Sequence, residues 1–180
     1  MFILGISALY HDSTAAVFRD GDLIASAAEE RFTGKKHDSS WPDHAIEFCL
    51  NSAGINPAEL DHIVFYEKPV LKFDRILDTH IRAWPFSYPA FFPAIPLWTK
   101  EKLKIRFIIK RKLGKYPLFV KHHISHAAGA FYLSGFKKAA VITMDGVGEW
   151  NTLSIGIGDA NSLKILKTID FPHSIGLLYS

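Results

Sequence analysis

The 180 residues suffice for one domain, or for one domain and the start of another. A 48% hydrophobic and 22% charged composition suits a packed core and argues against disorder. The net charge of +3 is mild and concentrated in 98–115, which leaves the remainder slightly acidic, so nucleic-acid binding is not expected of the domain as a whole.

In chain order, Phe2–Leu9 reads as a buried strand and Ser13–Phe18 as a second. Asp20-Gly21-Asp22 supplies a turn into a third strand, Leu23–Ala28, giving three short antiparallel strands. Glu29–Ser40 is polar and reads as a charged loop. Trp41-Pro42-Asp43 introduces a helix with Ala45, Ile46, Cys49, Leu50 and Ala53 on one face, stopped by Gly54. Cys49, the single cysteine, rules out an internal disulfide or a Cys-based zinc site and is expected as a buried thiol.

Leu60–Tyr66 is a fourth strand and Pro117–Lys121 a fifth. Between them, 68–114 reads as a helical excursion, with helical patterns over Leu71–Trp84 and Trp98–Leu113 around a proline-aromatic centre. The basic second pattern is a solvated face, a membrane-surface element or a dock for an acidic neighbour. A helix over Ala127–Leu133 follows the histidine cluster, then strands Ala139–Asp145, Thr152–Gly158 and Leu163–Ile169 repeat the opening triplet. This duplication predicts an α/β fold: a first lobe over 1–136 with its helical insertion, and a second lobe beginning at 137 and interrupted at 180. No apolar run reaches the roughly 18 residues needed to span a bilayer. The Met1-Phe2-Ile3-Leu4-Gly5 start also lacks the basic segment of a signal peptide, so a cytoplasmic protein is expected.

Chemistry concentrates in His122-His123-Ile124-Ser125-His126. Residues three and four apart share a helix face, so His122 or His123 can pair with His126 on one ion; the four-residue spacing favours His122. Asp145, at a strand end, adds a carboxylate, and two imidazoles with one carboxylate suit divalent iron, zinc or manganese. The alternatives are core or capping histidines and an Asp that only orders its turn. Gly146 and Gly148 let the backbone approach a bound anion, and Glu149 is either part of the site or a solvated turn residue. In the first inter-strand loop, His11 can serve as a general base. Beside it, Ser13 and Thr14 can hydrogen-bond a phosphate or sugar, and Asp12 can do so or stabilise the turn. In the charged loop after the third strand, a lysine can hold a carbamoyl or phosphate oxygen, against the plainer reading of a solvated face.

Five ordered blocks carry a resemblance: GISALYHDSTAAV (Gly5–Val17), AEERFTGKKHD (Ala28–Asp38), HHISHAAGAFY (His122–Tyr132), MDGVGEW (Met144–Trp150) and FPHSIGLLYS (Phe171–Ser180). Together they resemble the NodU/CmcH family of carbamoyltransferases. The resemblance implies an actin-like ATPase (ribonuclease H-like) fold with a mixed sheet, related to the tRNA threonylcarbamoyladenosine enzyme. It implies that a YrdC-like domain makes carbamoyl-adenylate from carbamoyl phosphate and ATP. The actin-like domain then transfers the carbamoyl group to a hydroxyl of a sugar or natural product. By motif, His122, His126 and Asp145 match metal ligands, usually considered iron, as Fe(II). His11 matches the base for the acceptor hydroxyl and Lys36 a ligand-contacting lysine. Family members run well past FPHSIGLLYS, so the sequence is expected to be an N-terminal fragment lacking the YrdC-like domain and inactive on its own. The rival readings are a non-catalytic metal- or nucleotide-binding module of the same fold and a tRNA-modifying enzyme.

Overall fold

A computed structural model describes residues 1–10, 12–100 and 102–179. The chain divides into two compact units: Met1–Tyr66 with Leu97–Phe119, and Glu67–Pro96 with the chain from Val120 onward.

The first unit is built on a mixed five-stranded sheet of β1 (Phe2–Ser7), β2 (Thr14–Arg19), β3 (Asp22–Ala28), β4 (His62–Phe65) and β5 (Leu118–Phe119), in the order β3-β2-β1-β4-β5. Strand β2 runs antiparallel to both β1 and β3, whereas β4 runs parallel to β1 and β5 parallel to β4. Alternation along each strand sends Leu4, Ile6, Ala15, Val17, Ile63 and Phe65 into one core. The Asp20-Gly21 hairpin turns with positive φ at both residues, which matches the strand twist.

A short helix, α1 (Glu30–Thr33), sits where the charged loop was expected, closed by Gly34 at φ 70. Helix α2 (Asp43–Ala53) buries Ala45, Ile46, Cys49 and Leu50 against the sheet. It ends as its sequence predicts: Gly54 at φ 67 donates to the Asn51 carbonyl while Ile55 N–H reaches Leu50 O at 3.1 Å.

The excursion is mostly helical, with a turn over 83–87 between its first two helices, and helix continues through the prolines that follow. Helix α3 (Pro69–Arg82) is followed by α4 (Tyr88–Lys100), which contains Pro93 and Pro96, and then by α5 (Ile105–Leu113). Trp84, Tyr88 and Phe92 stand four apart and their rings touch in sequence, at 5.7 and 4.6 Å between centroids. That ladder supports a helix which has lost two backbone donors to proline. In the first unit, α5 places Ile105, Ile109 and Leu113 at four-residue intervals in the core.

The second unit carries an antiparallel meander, β6 (Lys138–Met144), β7 (Asn151–Asp159) and β8 (Ser162–Asp170), with α6 (His122–Leu133) across one face. Ala127 and Phe131 of α6 pack with Val141. A further short helix, α7 (Ile175–Tyr179), follows β8. The mixed α/β class expected from the sequence is therefore observed. The compact units are cut differently from the expected lobes, because α6 packs on β6–β8 and groups with that sheet. Among the described residues no helix is long and apolar enough to cross a membrane.

Candidate metal centre

Helix α6 starts on His122, and a helix repeat of about 3.6 residues brings His126 over it. The two Nε2 atoms are 3.0 Å apart. Asp145 follows the last residue of β6, and its N–H donates to Thr152 O at 2.9 Å, which fixes the strand end against β7. Its Oδ2 lies 2.8 Å from His122 Nε2. One ligand atom from each of His122, His126 and Asp145 lies within 4.8 Å of the others.

Burial opposes charge on His122, but the hydrogen bond with Asp145 and the nearby Glu67 carboxylate outweigh it and raise the imidazole to about 9. The same bond to His122, against the opposing effect of burial, holds the Asp145 carboxyl at about 2. Burial, reinforced by the charge of His122, pushes His126 below its usual value. Two ring nitrogens and a carboxylate oxygen thus converge where a proton can satisfy only one pair at a time. A divalent cation satisfies all three, so this donor set fits the group that the sequence suggested.

His123 does not share this cluster. It is buried, and its Nδ1 lies 3.1 Å from Ser154 Oγ and 3.0 Å from Thr143 Oγ1. That contact is with β6 and β7; among the described residues, the ligand atoms of His122 rather than His123 group with those of His126 and Asp145.

Around the cluster stand Glu67 and Lys72, not singled out from the sequence, and Glu149, left open there. Glu67 and Lys72, each 5% exposed, form an ion pair of 2.8 Å, and Glu67 Oε2 lies 3.6 Å from His122 Nδ1. Burial works against the ionised Glu67, but His122 and Lys72 keep its pKa lowered. Glu149 is buried and is not a solvated turn residue. Its Oε1 accepts from Lys68 N–H at 2.5 Å and His122 N–H at 3.3 Å, taking up donors at the starts of α3 and α6. Burial raises the Glu149 carboxyl, with those two amides opposing it.

The glycines of the Asp145 loop have packing work of their own. A Cβ on Gly148 would come within 3.2 Å of the His122 and His123 rings, and its N–H donates to Asn151 O at 3.1 Å. The Gly146 carbonyl accepts from Ser174 Oγ at 2.6 Å. Close by, a Cβ on Gly176 would meet the Asp145 carbonyl oxygen at 2.3 Å, so α7 can seat against the loop only with glycine there.

In the first unit, His11 lies outside the described residues. Asp12, at φ 50, accepts from His37 Nδ1 at 2.8 Å, and that bond raises the His37 pKa. Ser13 is fully buried and ties its loop down, donating from N to Asp38 O and accepting from Glu29 N–H, both at 2.8 Å. Lys36 lines an open groove of about 710 Å³ with Lys35, Asp38, Ser39, Trp41 and Ile108. Glu29, expected in a solvated run, is 1% exposed and receives the His44 and Ala45 amides at the start of α2.

A family model described as the carbamoyltransferase N-terminus matches residues 2–180. The uncharacterised protein sll1178 of Synechocystis sp. is 48% identical, over 99% of this chain and 31% of its own length. Nodulation protein NolNO of Sinorhizobium fredii is 32% identical, over 94% of this chain and 24% of its own. The chain therefore spans less than a third of the length of these relatives. Among solved structures, YeaZ from Pseudomonas aeruginosa aligns with a TM-score of 0.44 at 14% identity, covering 96% of this chain and 71% of that one. A Ppx/GppA family member from Aquifex aeolicus gives 0.45 at 14% identity, covering 99% and 53%.

Proposed function

Because the chain belongs to the carbamoyltransferase N-terminus family, we propose that it is the N-terminal part of a cytoplasmic O-carbamoyltransferase of actin-like fold. The reaction assigned is transfer of a carbamoyl group from carbamoyl-adenylate to a hydroxyl of a sugar or natural product. The adenylate would come from carbamoyl phosphate and ATP through a YrdC-like domain of the same enzyme. The observation that carries the reading is the convergence of His122, His126 and Asp145 on one point.

In this reading those three side chains hold a divalent ion, with Fe(II) the preferred candidate. When bound, such an ion would supply Lewis-acid charge for the phosphate of the adenylate. His122 and His126 contribute neutral nitrogens and Asp145 the single negative charge, which leaves a net positive site for an anionic ligand. His11 takes the acceptor proton as the hydroxyl oxygen forms its bond to the carbamoyl carbon. The bond from that carbon to the phosphate oxygen breaks, and AMP leaves with the electron pair. Lys36 is assigned to a ligand oxygen, Asp12 to orienting the loop that bears His11, and Ser13 to securing that loop. Gly146 and Gly148 serve by letting the Asp145 loop run close to its neighbours.

The test is calorimetric binding of AMP to the chain with and without a divalent ion. Binding should require the ion and disappear in His126→Ala. Equal AMP binding without metal, or in that variant, would overturn the phosphate-anchoring role.

A further inference from the structure

The segment that the sequence marks as an insertion supplies a wall of the histidine cluster. Helix α3 opens at Pro69, and its first turn carries Lys72 back to Glu67, at 2.8 Å. Both residues are 5% exposed, a rare state for charged groups unless they are paired. On its other side Glu67 faces the imidazole of His122, Oε2 to Nδ1 3.6 Å, while His122 Nε2 faces Asp145 and His126. Glu149 holds the two helix starts to one carboxylate oxygen, through Lys68 N–H and His122 N–H. The order is thus Lys72, Glu67, His122, with the metal-directed nitrogen at the far side of the ring.

We propose that Glu67, held by Lys72, is a positioning residue that keeps the Nδ1 proton of His122 and presents its Nε2 lone pair to the ion. An imidazole has two nitrogens, and a ligand His is competent only when its proton sits on the one turned away from the metal. A carboxylate behind the ring fixes that tautomer, fixes the ring plane and increases the basicity of the ligating nitrogen. Lys72 keeps Glu67 ionised and in place, because a buried carboxylate without a partner tends to take up a proton. The pair therefore acts on the metal through His122 without touching it. The inference rests on the metal-centre reading above.

The experiment uses Zn(II), a diamagnetic probe, on the whole chain. Glu67→Gln alone would remove the carboxylate facing the buried Lys72 charge, so the informative variant is Glu67→Gln with Lys72→Met, which removes both charges and approximates both shapes. Zn(II) affinity is measured by chelator competition, and the His122 Nδ1 proton is followed by nitrogen-15 NMR in the loaded protein. The double variant should bind about 10–100-fold more weakly and show a displaced or rapidly exchanging Nδ1 proton. Failure of the unmodified chain to bind Zn(II) would defeat the metal-centre reading itself. Tight binding by the unmodified chain, matched by the double variant with an unmoved Nδ1 signal, would defeat the positioning role alone.

Discussion

Gly158 of β7 lies under the ring of Phe131, where a Cβ would sit 2.5 Å from three ring carbons. Helix α6 can rest this close to the sheet only because that position has no side chain. The same contact sets the height at which His122 and His126 begin the helix. Gly158→Ala should displace the Phe131 ring and destabilise the second unit by about 1–3 kcal/mol, the usual cost of overpacking. A denaturant midpoint unchanged from the parent chain would contradict that packing.

Glu29 gives a second prediction. Its carboxylate accepts from the His44 and Ala45 amides and from His44 Nδ1, the last at 2.6 Å. Glu29→Gln keeps the volume but loses the charge, and should cost about 1.5–3 kcal/mol by removing hydrogen bonds to a charged acceptor. Urea unfolding of the two forms provides the comparison.

The same contact makes stability depend on pH. The hydrogen bond to Glu29, then its charge, raises the His44 pKa above its ordinary value. A group raised in the folded state stabilises fully below its unfolded pKa, about 6.5, and that contribution is lost as pH rises through the folded value. The midpoint difference between the parent chain and His44→Gln should therefore be widest near pH 6 and shrink toward pH 9. A gap that is constant across that range would show that His44 protonation does not contribute.

Cys49 is fully buried between sheet and helix, with its Sγ 3.4 Å from Ala15 O, and burial raises its thiol pKa. The thiolate is the reactive form, so native protein should resist a disulfide reagent and react only at the rate of unfolding. Rapid labelling of the folded chain would contradict the packing of α2.

What could be read from the sequence follows the range of the interaction. Alternation in Leu4 and Ile6, or Ala15 and Val17, is local, and so are the Gly54 stop and the four-residue spacing of His122 and His126; each reads directly as structure. The α4 helix was hidden because Pro93 and Pro96 argue against it, while the signal in its favour was the Trp84, Tyr88, Phe92 spacing. Glu67 and Lys72 were beyond reach for a different reason, which also left Glu149 open between site and solvent. Each resembles an ordinary surface charge beside its neighbours, and contacts distant along the chain, such as Glu67 with His122 and Glu149 with Lys68, mark the place as interior. Glu29 was misjudged in the same way, since the amides it caps begin 15 residues later.

The central claim is that His122, His126 and Asp145 hold one divalent ion. Its most direct test is metal analysis of the chain purified without a polyhistidine tag, beside His122→Ala, His126→Ala and Asp145→Asn. The parent should carry or take up one equivalent, and each variant should lose most of it while keeping its secondary structure. Metal content unchanged across the three variants would contradict the claim.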